Sequence, residues 1–362
     1  MNFLDQPRSV RTGEELDAAR LGAYLRENLG DVAEDAPIVV EQFRNGYSNL
    51  TYRVQFGDRE LVLRRPPFGA QVKSGHDMAR EYRVLSALAP VYPKVPRPVL
   101  FCDDVAVLGA PFYLMERVPG VILRATLPEG LQIGPDLMQR IATSFIENLA
   151  AIHALDWQQG ALATLGHPAG YVQRQVTGWA ERYQKAKTDD LPELERASQW
   201  LIDHAPPNAA SALIHNDYKY DNLILDAADM AQIRAVLDWE MATLGDPLMD
   251  LGSTLAYWVD PDDPPEARIM STQGSLTTLP GNPTRVELAQ RYATASGRDL
   301  GDLVFYYTFG LFKNAVIAQQ IYYRYKQGLT HDERFAVFLP FIQMLGVTAA
   351  KVITLQRIDR LG

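Results

Sequence analysis

The sequence predicts an α+β protein in two lobes, a small antiparallel sheet followed by a larger, mostly helical part. Three observations carry this. From Pro37, short strand-like runs at 38–43, 51–56 and 61–64 alternate with turns at Asn45-Gly46 and Gly57-Asp58. After Pro119-Gly120, apolar residues recur at helical spacing almost to the end of the chain. With 362 residues, 47% of them hydrophobic and 22% charged, the chain is long enough for two cores of ordinary composition. The expected lobes are 1–118 and 119–362.

In chain order, 14–27 reads as an amphipathic helix through Leu16, Ala19, Leu21, Ala23 and Leu25, stopped by Gly30 and packed outside the first lobe. Residues 75–88 form a second helix with Met78, Tyr82, Leu85 and Leu88 on one face. A proline-punctuated loop at 91–98 leads to strands at 99–102 and 112–116. Helices follow at 137–155, 172–187 and 191–204, the last ended by Pro206-Pro207. The acidic, proline-rich 260–265 and the irregular 270–283 have the character of a lid or specificity loop. Helices are expected again at 285–296, 303–326 and 332–357, the last interrupted at Pro340.

A formal charge of −9 argues against a nucleic-acid partner, because such binding needs a basic field. Cys102 is the single cysteine, which excludes an intrachain disulfide or a cysteine cage and suits a buried apolar role. No uninterrupted apolar run approaches the ~20 residues of a membrane span, and the N-terminal residues lack a basic stretch followed by an apolar core. A cytoplasmic protein without a membrane partner is expected. Oligomeric state is left open.

The chemistry concentrates in 213–225, where two apolar runs bracket a polar loop with the spacing His215-x-Asp217-x-x-x-x-Asn222. That is the spacing of a kinase catalytic loop, in which the Asp accepts the proton of the attacking hydroxyl and the Asn holds magnesium. Asp and Asn also favour turns for local reasons. The second apolar run, 236–240, ends in Asp238, at the place of the second magnesium ligand, and this order of groups disfavours a chance turn. A tight turn between the two strands would set Asn222 and Asp238 at neighbouring strand ends.

Upstream, the turn with Gly46, Ser48 and Asn49 stands where backbone amides would meet phosphate oxygens. Arg64 occupies the third-strand cation position, with Glu81 as its helix partner. Backbone groups around Glu116 to Val118 are placed to bond an adenine edge. Asp246-Pro247 reads as a helix start, and Asp250 as a brace for the catalytic loop. His153 reads as a core or capping histidine.

These residues together resemble the aminoglycoside phosphotransferase family, a branch of the protein-kinase-like fold that phosphorylates small molecules. The specific parts are Ile214 to Asp217 through Asn222, Val236 to Glu240, Gly245-Asp246-Pro247 and Asp250. Within it, 62–67 and 321–325 are similar to the branch related to the kinase portion of acyl-CoA dehydrogenase family members ten and eleven. The resemblance implies ATP and Mg²⁺ as cofactors, Asp217, Lys219, Asn222 and Asp238 as catalytic residues, and Asn222, Asp238 and Glu240 around metal. It further implies a small-molecule hydroxyl acceptor, best matched by a 4-hydroxyacyl-CoA. Tyr322, Tyr323, Arg324 and Lys326 gather aromatic and basic character suited to that acceptor, whereas the acidic 260–263 loop suits an aminoglycoside. A nucleotide-binding pseudokinase scaffold is the alternative from another class. Two departures stand out: Arg64 where kinases carry Lys, and Trp239-Glu240 in place of Phe-Gly.

Overall fold

The computed structural model describes residues 3–30, 36–43, 49–68, 77–207, 210–271, 273–330 and 332–361. Gly46 and Ser48 lie outside these, so the expected phosphate-covering turn is represented by Asn49 alone. The chain forms two compact units, 1–122 with 222–241, and 123–221 with 242–362. The first break falls at Ile122, near the expected 118. Residues 222–241, expected with the helical lobe, pack with the sheet unit because their strands bond to it: Val121 bridges Leu225, and the Val236 amide donates to the Lys94 carbonyl at 2.9 Å.

In the first unit, α1 (Ala18–Asn28) begins at Asp17, whose carboxylate caps the Arg20 amide. The helix therefore starts four residues later than its apolar pattern implied, since a side-chain acceptor at this point satisfies an otherwise unpaired amide. Leu21 and Leu25 on its apolar face are fully buried in the main core, while Ala19 and Ala23 are exposed. Strands β1 (Ile38–Phe43), β2 (Leu50–Phe56), β3 (Arg59–Arg65), β4 (Pro98–Cys102) and β5 (Phe112–Glu116) form an antiparallel sheet in the order β1-β2-β3-β5-β4. Helix α2 (Met78–Leu88), capped by Asp77, packs on β4 and β5, and the short α3 (Val105–Leu108) packs on α1. Cys102 is buried in this core. The hairpin β7 (Leu223–Leu225) and β8 (Ile233–Val236) completes the unit. Gly120 lets it close: a Cβ there would collide with Ile224 and the Leu225 carbonyl.

The second unit holds α4 (Pro135–His153), α5 (Tyr171–Ala186), α6 (Pro192–Asp203), α7 (Pro247–Leu255), α8 (Pro265–Met270), α9 (Gly274–Thr277), α10 (Arg285–Ser296), α11 (Leu303–Lys326) and α12 (Phe338–Leu355). Its small sheet pairs β6 (Ala212–Ile214) with β9 (Thr243–Gly245). Helix α11 is the spine, packed on α5, α6, α7 and α12. Gly252 and Gly310 allow α7 and α11 to touch backbone to backbone, since a Cβ on either would strike the other helix.

Three expectations change here. The irregular region after Asp260 contains two short helices, α8 and α9. Two of its carboxylates are engaged internally: Asp263 takes the Arg285 guanidinium at 2.7 Å, and Asp260 accepts the Arg285 amide at 2.9 Å. Pro340 does not interrupt the last helix; it sits in the first turn of α12, where its missing N–H costs nothing, and the break precedes it in the 3₁₀ turn Glu333–Val337. The stretch Glu333–Leu355 has the length and mean hydropathy of a membrane span although polar residues interrupt it, and α12 within it packs on α11 and α6.

Candidate active site

In the first unit the groups converge on Arg64. Strand alternation sends the two arginines of β3 to opposite sides, Arg65 to the Leu108 carbonyl at 3.0 Å and Arg64 to α2. Arg64 Nη1 meets Glu81 Oε1 at 2.6 Å, the expected strand-to-helix ion pair, with both side chains buried. Its other nitrogen, Nη2, donates to Asp238 Oδ1 at 3.1 Å and lies 3.9 Å from Glu240 Oε2. Burial opposes a charge on Arg64, but Glu81, Tyr113, Asp238 and Glu240 outweigh it and hold its pKa well above the ordinary value. Glu240 also accepts from Asn49 Nδ2 at 2.8 Å, and its carbonyl accepts from Arg80 Nε at 3.2 Å.

The hairpin does what the spacing predicts. The Leu237 amide donates to the Asn222 carbonyl at 2.8 Å, one step beyond the Leu223/Val236 pair, so Asn222 and Asp238 sit at the same end of neighbouring strands. Asp238 has a left-handed backbone, φ 64°, a costly conformation for a non-glycine residue that its partners maintain. Asn222 and Asp238 offer a carboxamide and a carboxylate oxygen, a donor set that fits magnesium, which takes few protein oxygens and completes its shell with phosphate and water. Among the described residues no group of three or more His, Cys, Asp or Glu side chains is arranged to hold a metal.

At the expected adenine edge the Glu116 amide is already used, donating to the Arg97 carbonyl at 2.8 Å. Glu116 therefore offers no N–H to a base. Val118 packs with Leu237 against an apolar cluster of Ile122, Ile224 and Ala235.

In the second unit the catalytic loop is held by Asp250, one turn into α7. Its carboxylate accepts the His215 amide at 2.6 Å and the Asn216 amide at 2.7 Å. His153 braces it in turn, at 3.1 Å from Asp250 and 2.7 Å from the Tyr292 hydroxyl. His215 Nδ1 accepts from the Asp217 amide at 3.2 Å and so braces the loop. Asp246 caps α7 through the Leu248 amide at 2.8 Å.

Two side chains reach the Asp217 carboxylate from different positions in the chain: Lys219 Nζ is 3.0 Å from Oδ2, and the Tyr257 hydroxyl donates to Oδ1 at 2.7 Å. Burial pushes the Asp217 pKa up, but Lys219, Tyr257 and His215 more than compensate and leave it below the ordinary 3.8. The carboxylate is thus ionised at neutral pH and able to accept a hydrogen bond from an alcohol. Lys219 and Tyr257 also line a cavity of about 230 Å³ whose walls are mainly apolar, including Val259, Leu311, Ile317, Ile321 and Phe341.

Two residues escaped the sequence reading. Tyr257 lies outside every motif. Lys313, buried in the middle of α11, donates to the Asn216 carbonyl at 2.6 Å and so supports the left-handed Asn216, φ 68°. A lone lysine in an aromatic helical run was the available signal. Conversely, Tyr322, Tyr323, Arg324 and Lys326 do not line the cavity. The face of α11 that does is Leu311, Asn314, Ala318 and Ile321, at helical spacing, while Tyr322 is buried and Lys326 lies over its ring at 5.8 Å.

A model of the APH phosphotransferase enzyme family matches residues 39–288. The chain belongs to that family. It is 37% identical over 88% of its length to acyl-CoA dehydrogenase family member 10 of Mus musculus, and 35% identical over 93% to member 11 of Homo sapiens. It spans 29% and 43% of those two proteins, less than half of either. Among solved structures, a putative aminoglycoside phosphotransferase from Ralstonia eutropha is 29% identical with a TM-score of 0.75, covering 93% of this chain and 99% of that one. An aminoglycoside phosphotransferase solved with AMP-PNP and hygromycin B shares the fold at 16% identity, TM-score 0.60, over 92% of this chain and 99% of that one. The protein-kinase-like fold read from the sequence is therefore correct, and the chain carries a domain of the phosphotransferase enzyme family.

Proposed function

We propose that this protein transfers the terminal phosphoryl group of ATP to the hydroxyl of an acyl thioester, with a 4-hydroxyacyl-CoA as acceptor. The observation that carries the acceptor is the apolar cavity lined by Lys219 and Tyr257, the two side chains bonded to Asp217. An acyl chain gains by leaving water for such walls, at roughly 25 cal/mol per Å². An aminoglycoside, a polycation, needs carboxylates instead, and the nearby Asp260 and Asp263 are both engaged by Arg285.

In this reading Asp217 orients the acceptor hydroxyl and takes its proton as the new P–O bond forms and the bond to the departing ADP breaks. Lys219 and Arg64 offset phosphate charge, and Glu81 fixes Arg64. Asn222 and Asp238 would hold magnesium, with Glu240 beside them, and the ion would neutralise the phosphates. The relatives named for acyl-CoA chemistry support the choice of acceptor. The test is transfer itself: with Mg-ATP, a 4-hydroxyacyl-CoA should gain one phosphoryl group by mass spectrometry while kanamycin and hygromycin B gain none. Gain on an aminoglycoside alone would replace this reading with that of an antibiotic kinase.

A further inference from the structure

The half-buried Tyr257 has a more constrained position than a residue outside any motif requires. Its neighbours fix the segment that carries it: Trp258 Nε1 donates to the Pro283 carbonyl at 2.9 Å, the Val259 amide bonds Thr277 Oγ1 at 3.1 Å, and the Trp258 ring packs on Phe145 and Tyr220. The phenol hydroxyl is thereby delivered to Asp217 Oδ1 at 2.7 Å, while Lys219 holds Oδ2 at 3.0 Å and lies 4.9 Å from the centre of the Tyr257 ring. One carboxylate is gripped by two residues of different kinds, and both line the same cavity.

We propose that Tyr257 positions Asp217 and selects the acceptor: its hydroxyl locks the carboxylate orientation, and its ring with Lys219 forms the wall past which the acceptor hydroxyl reaches Oδ1 or Oδ2. The inference rests on the acyl-thioester reading of the cavity. A carboxylate oxygen can accept more than one hydrogen bond, so the Tyr257 hydroxyl and an incoming alcohol can share the Asp217 carboxylate. Lys219 is a cation, and the charge it gives to Asp217 is also drawn toward transferring phosphate. Tyr257 is a neutral donor with no such competing partner, so it keeps the base in place when the grip of Lys219 loosens. With Tyr257 both in the cavity wall and bonded to Asp217, the number of bonds from the acyl anchor to the hydroxyl determines which isomer reaches the carboxylate.

The test compares wild type, Tyr257→Phe and Tyr257→Leu by steady-state kinetics on hydroxyacyl-CoA isomers that differ in hydroxyl position, and by ATP hydrolysis without acceptor, where water takes the alcohol's place. Tyr257→Phe keeps the wall and loses the bond. It should lower kcat about tenfold in both assays, with KM for ATP and for acceptor changed less than about twofold. Tyr257→Leu opens the wall and should also reduce the preference between neighbouring isomers at least about fivefold. Unchanged kcat in the Phe variant, or a fall carried by KM alone, overturns the positioning role; an unchanged isomer preference in the Leu variant overturns the selecting role. If wild type hydrolyses ATP but phosphorylates no hydroxyacyl-CoA, the acceptor reading and the selecting role fail together, and the hydrolysis rates of the Phe variant still decide the positioning role.

Discussion

Arg64→Lys restores the residue that kinases carry at this position, yet it should damage this protein. The guanidinium spans two carboxylates with separate nitrogens, Glu81 at 2.6 Å and Asp238 at 3.1 Å, and approaches a third, Glu240, at 3.9 Å. An ammonium is a point charge on a flexible stem and cannot reproduce a fork. With Glu81 more deeply buried than Asp238, whose side chain is 29% exposed, the lysine should stay with Glu81 and release Asp238. A charge-assisted hydrogen bond is worth about 1.5–3 kcal/mol. Exposure of the Asp238 end places the expected loss in the lower half of that range, about 1.5–2 kcal/mol. Urea unfolding should show a lower midpoint with an unchanged slope, and ATP affinity should fall about tenfold as Asp238 loses its fixed orientation. Equal stability together with equal or better nucleotide affinity would refute the reasoning, because the fork would then be no more than a tolerated substitute.

Lys313→Met removes the amine that holds the Asn216 carbonyl in its left-handed turn. Urea unfolding should register a loss of about 1–3 kcal/mol, and kcat should fall while ATP affinity holds. Asp250 is fully buried, and burial raises its pKa, but His153 and His215 bring it below the ordinary 3.8. Its stabilising contribution is complete above that value and drains as pH falls through the lower folded-state pKa, since the unfolded chain takes up the proton first. Melting temperatures recorded from pH 6 to 3 should therefore fall less steeply below pH 4 in Asp250→Asn, although that variant starts less stable. Gly252→Ala drives a methyl group into the Tyr306 carbonyl on α11 and should cost about 1–3 kcal/mol by urea unfolding, with an unchanged slope.

Much of the site was legible because its parts are local. The run from His215 to Asn222 and the strand ending at Asp238 fix their geometry within a loop and a hairpin, so spacing alone placed Asn222 beside the Asp238 strand. Arg64 and Glu81 were legible as one strand position and one helix position, and Asp250 as one turn beyond a helix start. What sequence could not show depends on contacts distant along the chain. Tyr257 reaches back forty residues to Asp217, and Lys313 ninety-seven to Asn216; neither has a periodic or capping signature. The acidic 260–263 stretch suited an aminoglycoside in the sequence because the partner of Asp260 and Asp263, Arg285, lies at the far end of the intervening loop. The Tyr322 to Lys326 cluster read as a binding surface because composition does not reveal which face of α11 the cavity meets.

The most direct test of the central claim is a comparison of wild type and Asp217→Ala on Mg-ATP and a 4-hydroxyacyl-CoA, with transfer followed by mass spectrometry and ATP binding by calorimetry. The account predicts phosphorylated acyl-CoA from wild type, at least a hundredfold less from Asp217→Ala, and ATP binding retained by both. Transfer that survives in Asp217→Ala, or a wild-type protein that binds ATP and phosphorylates no hydroxyacyl-CoA, would contradict it.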